Sequence, residues 1–85
     1  MPRHEVVSPI PGVFYRRPDP DSPEYVKAGQ KVGPDDTVGL VEVMKTFYPV
    51  EAGVAGTVVE YAEDAEAVVD AGQALLVVDV DEASG

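Results

Sequence analysis

Apolar residues along this chain come in short runs, through Val13-Phe14-Tyr15, Val38 to Val43, Thr46 to Val50, Thr57 to Glu60 and Leu75 to Val80, each bounded by Gly, Pro or Asp. Strands of this length, evenly spaced and separated by turn residues, predict an all-β barrel or sandwich. Val6 and Val7 are expected to pair at an edge after a tail over 1–5. Tyr25 to Lys27 reads as a further extended segment, and Thr37 to Val43 as a strand opened by the turn Gly33-Pro34-Asp35-Asp36. Ala62 to Ala67 has helical propensity but is too short to hold a helix alone, so it is predicted to be a polar loop. Arg17 to Pro23 carries three prolines, which cannot join a ladder, and is predicted to project as a stiff loop.

The two halves repeat. Ala52 to Glu60 matches Ser8 to Arg16 at an offset of 44 positions, with Gly56 on Gly12. Val69 to Val80 matches Val32 to Val43 at an offset of 37. The difference of seven is one insertion in the first half, placed at the proline-rich segment. Neither half can bury its own apolar face. The expected result is a flattened barrel of two small sheets about a pseudo-twofold axis. In the repeat Val43 lies on Val80, where the last strand ends, so Met44-Lys45 should be a turn. Length agrees, because one strand over 38–50 would run roughly 40 Å at ~3.3 Å per residue. Two-residue hairpins favour Asn-Gly or Gly-X. Placing Met-Lys there accepts a local strain of the kind that marks functional sites.

Composition then narrows the function. Eighty-five residues predict a single domain over 1–85, with its core at about 6–80 and tails over 1–5 and 81–85. There is no cysteine, and the single histidine, His4, falls in the N-terminal tail, which excludes thiolate metal sites and His-dependent catalytic triads. The formal charge of −10 argues against nucleic acid and anionic membranes as partners, and favours basic protein surfaces. No apolar run reaches the ~20 residues of a membrane helix, and Met1 to Glu5 lacks the apolar core of a secretory signal. A cytoplasmic location is therefore expected.

Glu42-Val43-Met44-Lys45, followed by Pro49-Val50-Glu51-Ala52 and Gly56-Thr57-Val58, resembles the biotinyl (biotin/lipoyl attachment) domain family. Ser8 to Arg16, then Pro18, Pro20-Asp21, Tyr25-Val26, Gly29 and Val32, is similar to its biotin carboxyl carrier branch, from multisubunit acetyl-CoA carboxylase. The resemblance implies two four-stranded antiparallel sheets in a barrel-sandwich, with Arg17 to Glu24 as a "thumb" beside the cofactor. It implies biotin in amide linkage to Lys45, attached by a biotin protein ligase that reads Met44 as part of its motif. The implied partners are a biotin carboxylase and a carboxyltransferase acting on an acyl-CoA, as in malonyl-CoA and fatty acid synthesis. The chain itself would be a non-catalytic carrier. The family's usual Ala-Met-Lys-Met is here Val43-Met44-Lys45-Thr46, so the second methionine of the motif is replaced.

Taken alone, Lys45 reads as an ordinary surface lysine, Met44 as core, and Phe14, Tyr15, Phe47 and Tyr48 as packing residues with one side chain of the first pair facing inward. The acidic stretches around Glu63 to Glu66 and Asp79 to Glu82 read as solvated surface, and no carboxylate pair suggests acid–base catalysis. Two alternatives stay open: a lipoyl-type carrier, which Asp-Lys-Ala at the tip and the lack of a thumb would favour, and an unmodified interaction module, which a missing lysine would favour.

Overall fold

The computed structural model describes residues 2–81, and every regular element in it is a strand. In chain order these are β1 (Arg3–Val7), β2 (Gly12–Tyr15), β3 (Lys31–Val32), β4 (Thr37–Val43), β5 (Thr46–Glu51), β6 (Gly56–Tyr61), β7 (Val68–Val69) and β8 (Ala74–Val80). They form two four-stranded sheets, sheet I in the order β1-β8-β6-β3 and sheet II in the order β5-β4-β2-β7. All pairings are antiparallel. The all-β two-sheet architecture expected from the sequence is present.

The internal repeat holds down to register. Exchanging β1 to β4 with β5 to β8 turns one sheet order into the other. Val13 faces Glu42 and Phe14 faces Val41 in sheet II. Thr57 faces Asp79 and Val58 faces Val78 in sheet I. These pairs are separated by the two offsets read from the sequence. Inward positions alternate with outward ones and meet in one core. Phe14, Val38, Val41 and Val50 come from sheet II, and Val6, Val58, Leu75, Leu76 and Val78 from sheet I. Each such side chain contributes about 1.5–3 kcal/mol on leaving water, and neither sheet has a second apolar layer of its own to cover it.

Two glycines let the strands close. A Cβ on Gly12 would lie 2.5 Å from the Glu42 carbonyl oxygen. One on Gly56 would lie 2.1 Å from that of Asp79. Both obstacles are backbone, which cannot swing aside. The turns before β4 and β8 also match. The Gly33 N–H donates to the Asp36 carboxylate at 2.7 Å, and the Asp70 N–H to the Gln73 side-chain oxygen at 3.1 Å. Each side chain thereby satisfies a donor that no strand reaches. Pro49 sits on β5, an edge strand, where it is tolerated and blocks pairing with another chain.

Three expectations are corrected. The first strand begins at Arg3, inside the expected tail, because Arg3 opposes Asp79 and its guanidinium Nε lies 3.0 Å from that carboxylate. Tyr25 to Lys27 is not a strand: the Tyr25 N–H donates to the Arg16 carbonyl and closes the proline-rich loop. The two-residue strands β3 and β7 complete the expected four-stranded sheets but are not among the segments read as strands from the sequence. Residues 82–85 of the expected C-terminal tail lie outside the described residues.

Substituting Gly12 or Gly56 by alanine should each lower stability by about 1–3 kcal/mol, the usual penalty of overpacking, with the larger loss at Gly56. Urea unfolding of both variants against Gly29→Ala, which meets nothing within 4 Å but sits at φ +89°, separates steric from conformational strain.

Candidate functional site

The β4–β5 hairpin closes with Val43 opposite Thr46, leaving Met44 and Lys45 as a two-residue turn. Their φ angles are 49° and 67°. Positive φ at both central residues defines a type I′ turn, whose twist matches the flanking strands. The predicted turn is therefore present, with the strain expected of residues that carry a Cβ. The register of β4 on β5 leaves the chain no other way to reverse. Both side chains project into solvent, Met44 at 93% exposure. Met44 is thus not a core residue. Among the described residues no carboxylate lies within 4.0 Å of the Lys45 amine, whereas Arg3, Arg16, Arg17 and Lys31 each hold one.

Below the tip, the outward side of the hairpin carries a small cluster. Glu42 lies opposite Phe47 in the ladder. The Tyr15 hydroxyl donates to Glu42 Oε1 at 2.9 Å, and its ring stands 6.1 Å from the Phe47 ring, tilted by 53°. That hydrogen bond to Glu42 is the chief reason the Tyr15 hydroxyl titrates above its ordinary range, with burial and the charges of Glu42 and Glu66 adding to it. Phe47 and Tyr48, expected as packing residues, are 53% and 43% exposed, because an edge strand has only half its neighbours. Of the first aromatic pair, Phe14 faces in and Tyr15 faces out, as expected.

The proline-rich insertion leaves β2 and returns beside it. Its root is held by Arg16. The guanidinium Nη2 and Nε donate to the Glu63 carbonyl at 2.7 and 3.2 Å, and Nη1 to Glu24 at 3.4 Å. The same group stacks 4.5 Å above the Tyr61 ring, and the Tyr61 hydroxyl donates to the Val38 carbonyl. Further out, the Asp19 carboxylate accepts from the Asp21 N–H and the Ser22 hydroxyl, folding the loop on itself. Between this loop and the hairpin lies a cleft of about 270 Å³. Pro18 and Pro20 form one wall, Tyr15 and Phe47 another, with Ala65 and Glu66 closing the end. Glu66 reaches that position at φ 63°, a third strained residue.

The tip thus presents an exposed primary amine on a hairpin whose Phe47 lines a proline-walled cleft. A family model described as "Biotin-requiring enzyme" matches residues 4–78. The chain belongs to this family. Three biotin carboxyl carrier proteins of acetyl-CoA carboxylase illustrate its relatives. That of Chlamydia muridarum is 49% identical over 55 residues, 65% of this chain and 34% of the relative. The chloroplastic protein of Glycine max is 47% identical over 62 residues, 72% of this chain and 24% of the relative. That of Pyropia yezoensis is 36% identical over 74 residues, 87% of this chain and 47% of the relative. The chain thus spans less than half the length of each. Of the residues singled out in the sequence of this biotin-requiring family member, Met44 and Lys45 share the tip. Tyr15, Glu42 and Phe47 were not singled out as a cluster, since only the register brings them together. Among the described residues no group of acidic or histidine side chains could hold a metal, and no helix is long and apolar enough to cross a membrane.

Replacing Met44-Lys45 by Asn-Gly should raise stability by about 0.5–2 kcal/mol, since both residues favour positive φ, while removing the amine. Chemical unfolding beside intact mass reads both effects. A second prediction concerns the thumb root. Burial pushes the Tyr61 hydroxyl up to about 12 from an ordinary 10.0. The stability linked to this shift is whole below pH 10 and is lost as pH climbs from there through about 12. Tyrosinate absorbance and far-ultraviolet dichroism should show that alkaline loss, and Tyr61→Phe should reduce it.

Proposed function

We propose that the chain is a biotin carboxyl carrier domain, biotinylated on Lys45 and serving a carboxylase of the acetyl-CoA type. The observation that carries this reading is the Met44–Lys45 tip itself. A strained turn would ordinarily hold Asn-Gly, yet here it holds a solvent-exposed lysine on the hairpin whose Phe47 lines a cleft. The family match over residues 4–78 and the names of the relatives support it.

In this reading the residues of the chain divide the work. The Lys45 amine forms an amide with an activated biotinyl carboxyl, losing its proton as the activating group leaves, in the site of a biotin protein ligase that also contacts Met44. When bound, biotin supplies a ureido nitrogen that can take up and release a carboxyl group. The protein contributes presentation rather than catalysis. The I′ turn aims the lysine outward, and the paired strands fix its base. The cleft of Tyr15, Phe47, Pro18 and Pro20 would offer a tethered ring an apolar wall. Arg16 ties the root of the thumb to Glu24 and to the Glu63 carbonyl. Tethering raises the effective concentration of biotin at each station, which we assign to a biotin carboxylase and an acyl-CoA carboxyltransferase. The whole of residues 1–85 acts as one carrier domain.

Intact mass after co-expression with a biotin ligase and biotin tests the assignment. A gain of one biotinyl group, absent in Lys45→Arg, is expected. An unchanged mass with a competent ligase would overturn it and leave the unmodified module in its place, whereas a lipoyl adduct would establish the other carrier class. Deleting Arg17 to Pro23 should preserve the fold, because the Tyr25 N–H already bonds the Arg16 carbonyl at 2.8 Å across the loop. Carboxylation or carboxyl transfer by the biotinylated deletion variant should change. Unfolding of the variant would show the loop to be structural.

A further inference from the structure

The repeat supplies an internal control for reading the surface. Outward positions of one sheet have counterparts in the other at the two offsets, up to the bulge after Val58 that the β2–β4 pair lacks. One row across sheet I runs Lys31, Thr57, Asp79, Arg3, from β3 through β6 and β8 to β1. Its counterpart across sheet II runs Val68, Val13, Glu42, Phe47, from β7 through β2 and β4 to β5. The row of sheet I is that of a solvated face, closed by the Arg3–Asp79 ion pair at 3.0 Å. In sheet II three of the four positions are apolar. The next row carries the contrast at its β1/β5 position, where Glu5 in sheet I becomes Pro49 in sheet II, while Val77 and its counterpart Leu40 are both apolar.

Folding does not require the apolar row. Its inward neighbours Phe14, Val41 and Val69 are buried, so these side chains point away from the core. Val68 is 80% exposed, at a position where the related strand carries lysine. The thumb accounts for only one end, since it meets Tyr15 and Phe47. Val13 and Val68 lie beyond it, and the row is about 14 Å wide at ~4.8 Å per strand. A largely apolar face of this kind, interrupted by one glutamate, marks an interaction site. The charge around it selects the partner. Glu42 lies within the face, Glu66 stands beside Tyr15, and the chain as a whole carries −10. Lys45, the cation at the tip, loses its charge when acylated. Two copies would repel each other, while a surface with an apolar centre and an Arg/Lys rim would be complementary.

We propose that the outer face of sheet II is a docking surface for a protein with an apolar, basic-rimmed contact surface, and that docking there lays the Met44–Lys45 tip into that partner's active site. The identity of the partner as an enzyme working on Lys45 rests on the carrier reading, and the face itself rests on the contrast between the sheets.

The test is titration of the isotope-labelled chain, unmodified and biotinylated, with purified biotin carboxylase and with purified carboxyltransferase. Amide shifts are expected at Val13, Leu40 and Val68, and not at Lys31, Thr57 or Glu5, with at least one of the two enzymes. The double variant Val68→Lys, Val13→Thr installs the residues that the fold already holds on sheet I. It should stay folded and bind about tenfold more weakly, as loss of a central apolar contact does. Added salt should weaken the parent complex. Absence of shifts on this face with both enzymes, shifts on sheet I instead, or undiminished binding by the double variant would overturn the proposal. Concentration-dependent shifts on the face in the chain alone would also overturn it, in favour of a second copy. A chain that takes no biotin refutes the carrier reading, and the shift map of the unmodified chain still decides the face.

Discussion

The close approach of strands at Gly12 and Gly56 is the constraint on which the rest of the architecture depends. At each point one strand runs so near the carbonyl of its neighbour that a methyl group would overlap it, at 2.5 Å from Glu42 and 2.1 Å from Asp79. The two contacts are related by the repeat. Each draws the central pair of its sheet together, β2 on β4 and β6 on β8, and sets the register that turns Phe14, Val41, Val58 and Val78 inward. With that register fixed, the shared core closes, and β4 ends where β5 must begin. The position of the tip therefore follows from packing at its base, where Gly12 lies against Glu42 and Val43, and from the matching contact at Gly56 on the other sheet.

That chain of dependence explains how a strained turn can persist. Met44 and Lys45 both stand at positive φ, which costs a residue with a Cβ about 1–2 kcal/mol. The β4–β5 ladder, running from Val43–Thr46 down to Thr37–Glu51, offsets this through many pairings formed together. Glycine would relieve the strain at Lys45 but would remove the amine. The thumb is fastened on a similar principle. Arg16 gives its hydrogen bonds to a carbonyl and a carboxylate and lays its plane on Tyr61, so one side chain ties three segments of the chain.

Much of this was legible in the sequence, for identifiable reasons. The repeat could be read because glycines and apolar runs recur at fixed offsets, and the tip could be placed because Val43 falls on Val80. The inserted seven residues fall where the prolines are. Other features were hidden. The strands β3 and β7 are two residues long, too short for any alternation to register. Arg3 joins a strand through its partner Asp79, distant in sequence. Phe47 has the propensity of a strand residue, but propensity does not say which face it takes or that β5 lies at an edge. The Tyr15–Glu42 hydrogen bond spans two strands and exists only once they are in register.

The departure of the molecule from its own symmetry is the more informative half of the pattern. A duplicated frame gives each sheet apolar residues at matching inward positions, Phe14 on Val58 and Val41 on Val78, because the core admits little else. Outward positions carry no such restraint, so what stands there reflects solvent and partners. Sheet I has taken lysine, threonine, aspartate and arginine across one row. Sheet II, on an equivalent row, has taken two valines and a phenylalanine around one glutamate. Water alone would act on both faces alike, and would favour the polar row on each. The face that stayed apolar is the one from which the thumb springs and on which the hairpin carrying Lys45 ends. The two asymmetries, an insertion in one half and an apolar face on one sheet, fall on the same side of the molecule, the side that the proposed docking would turn toward a partner.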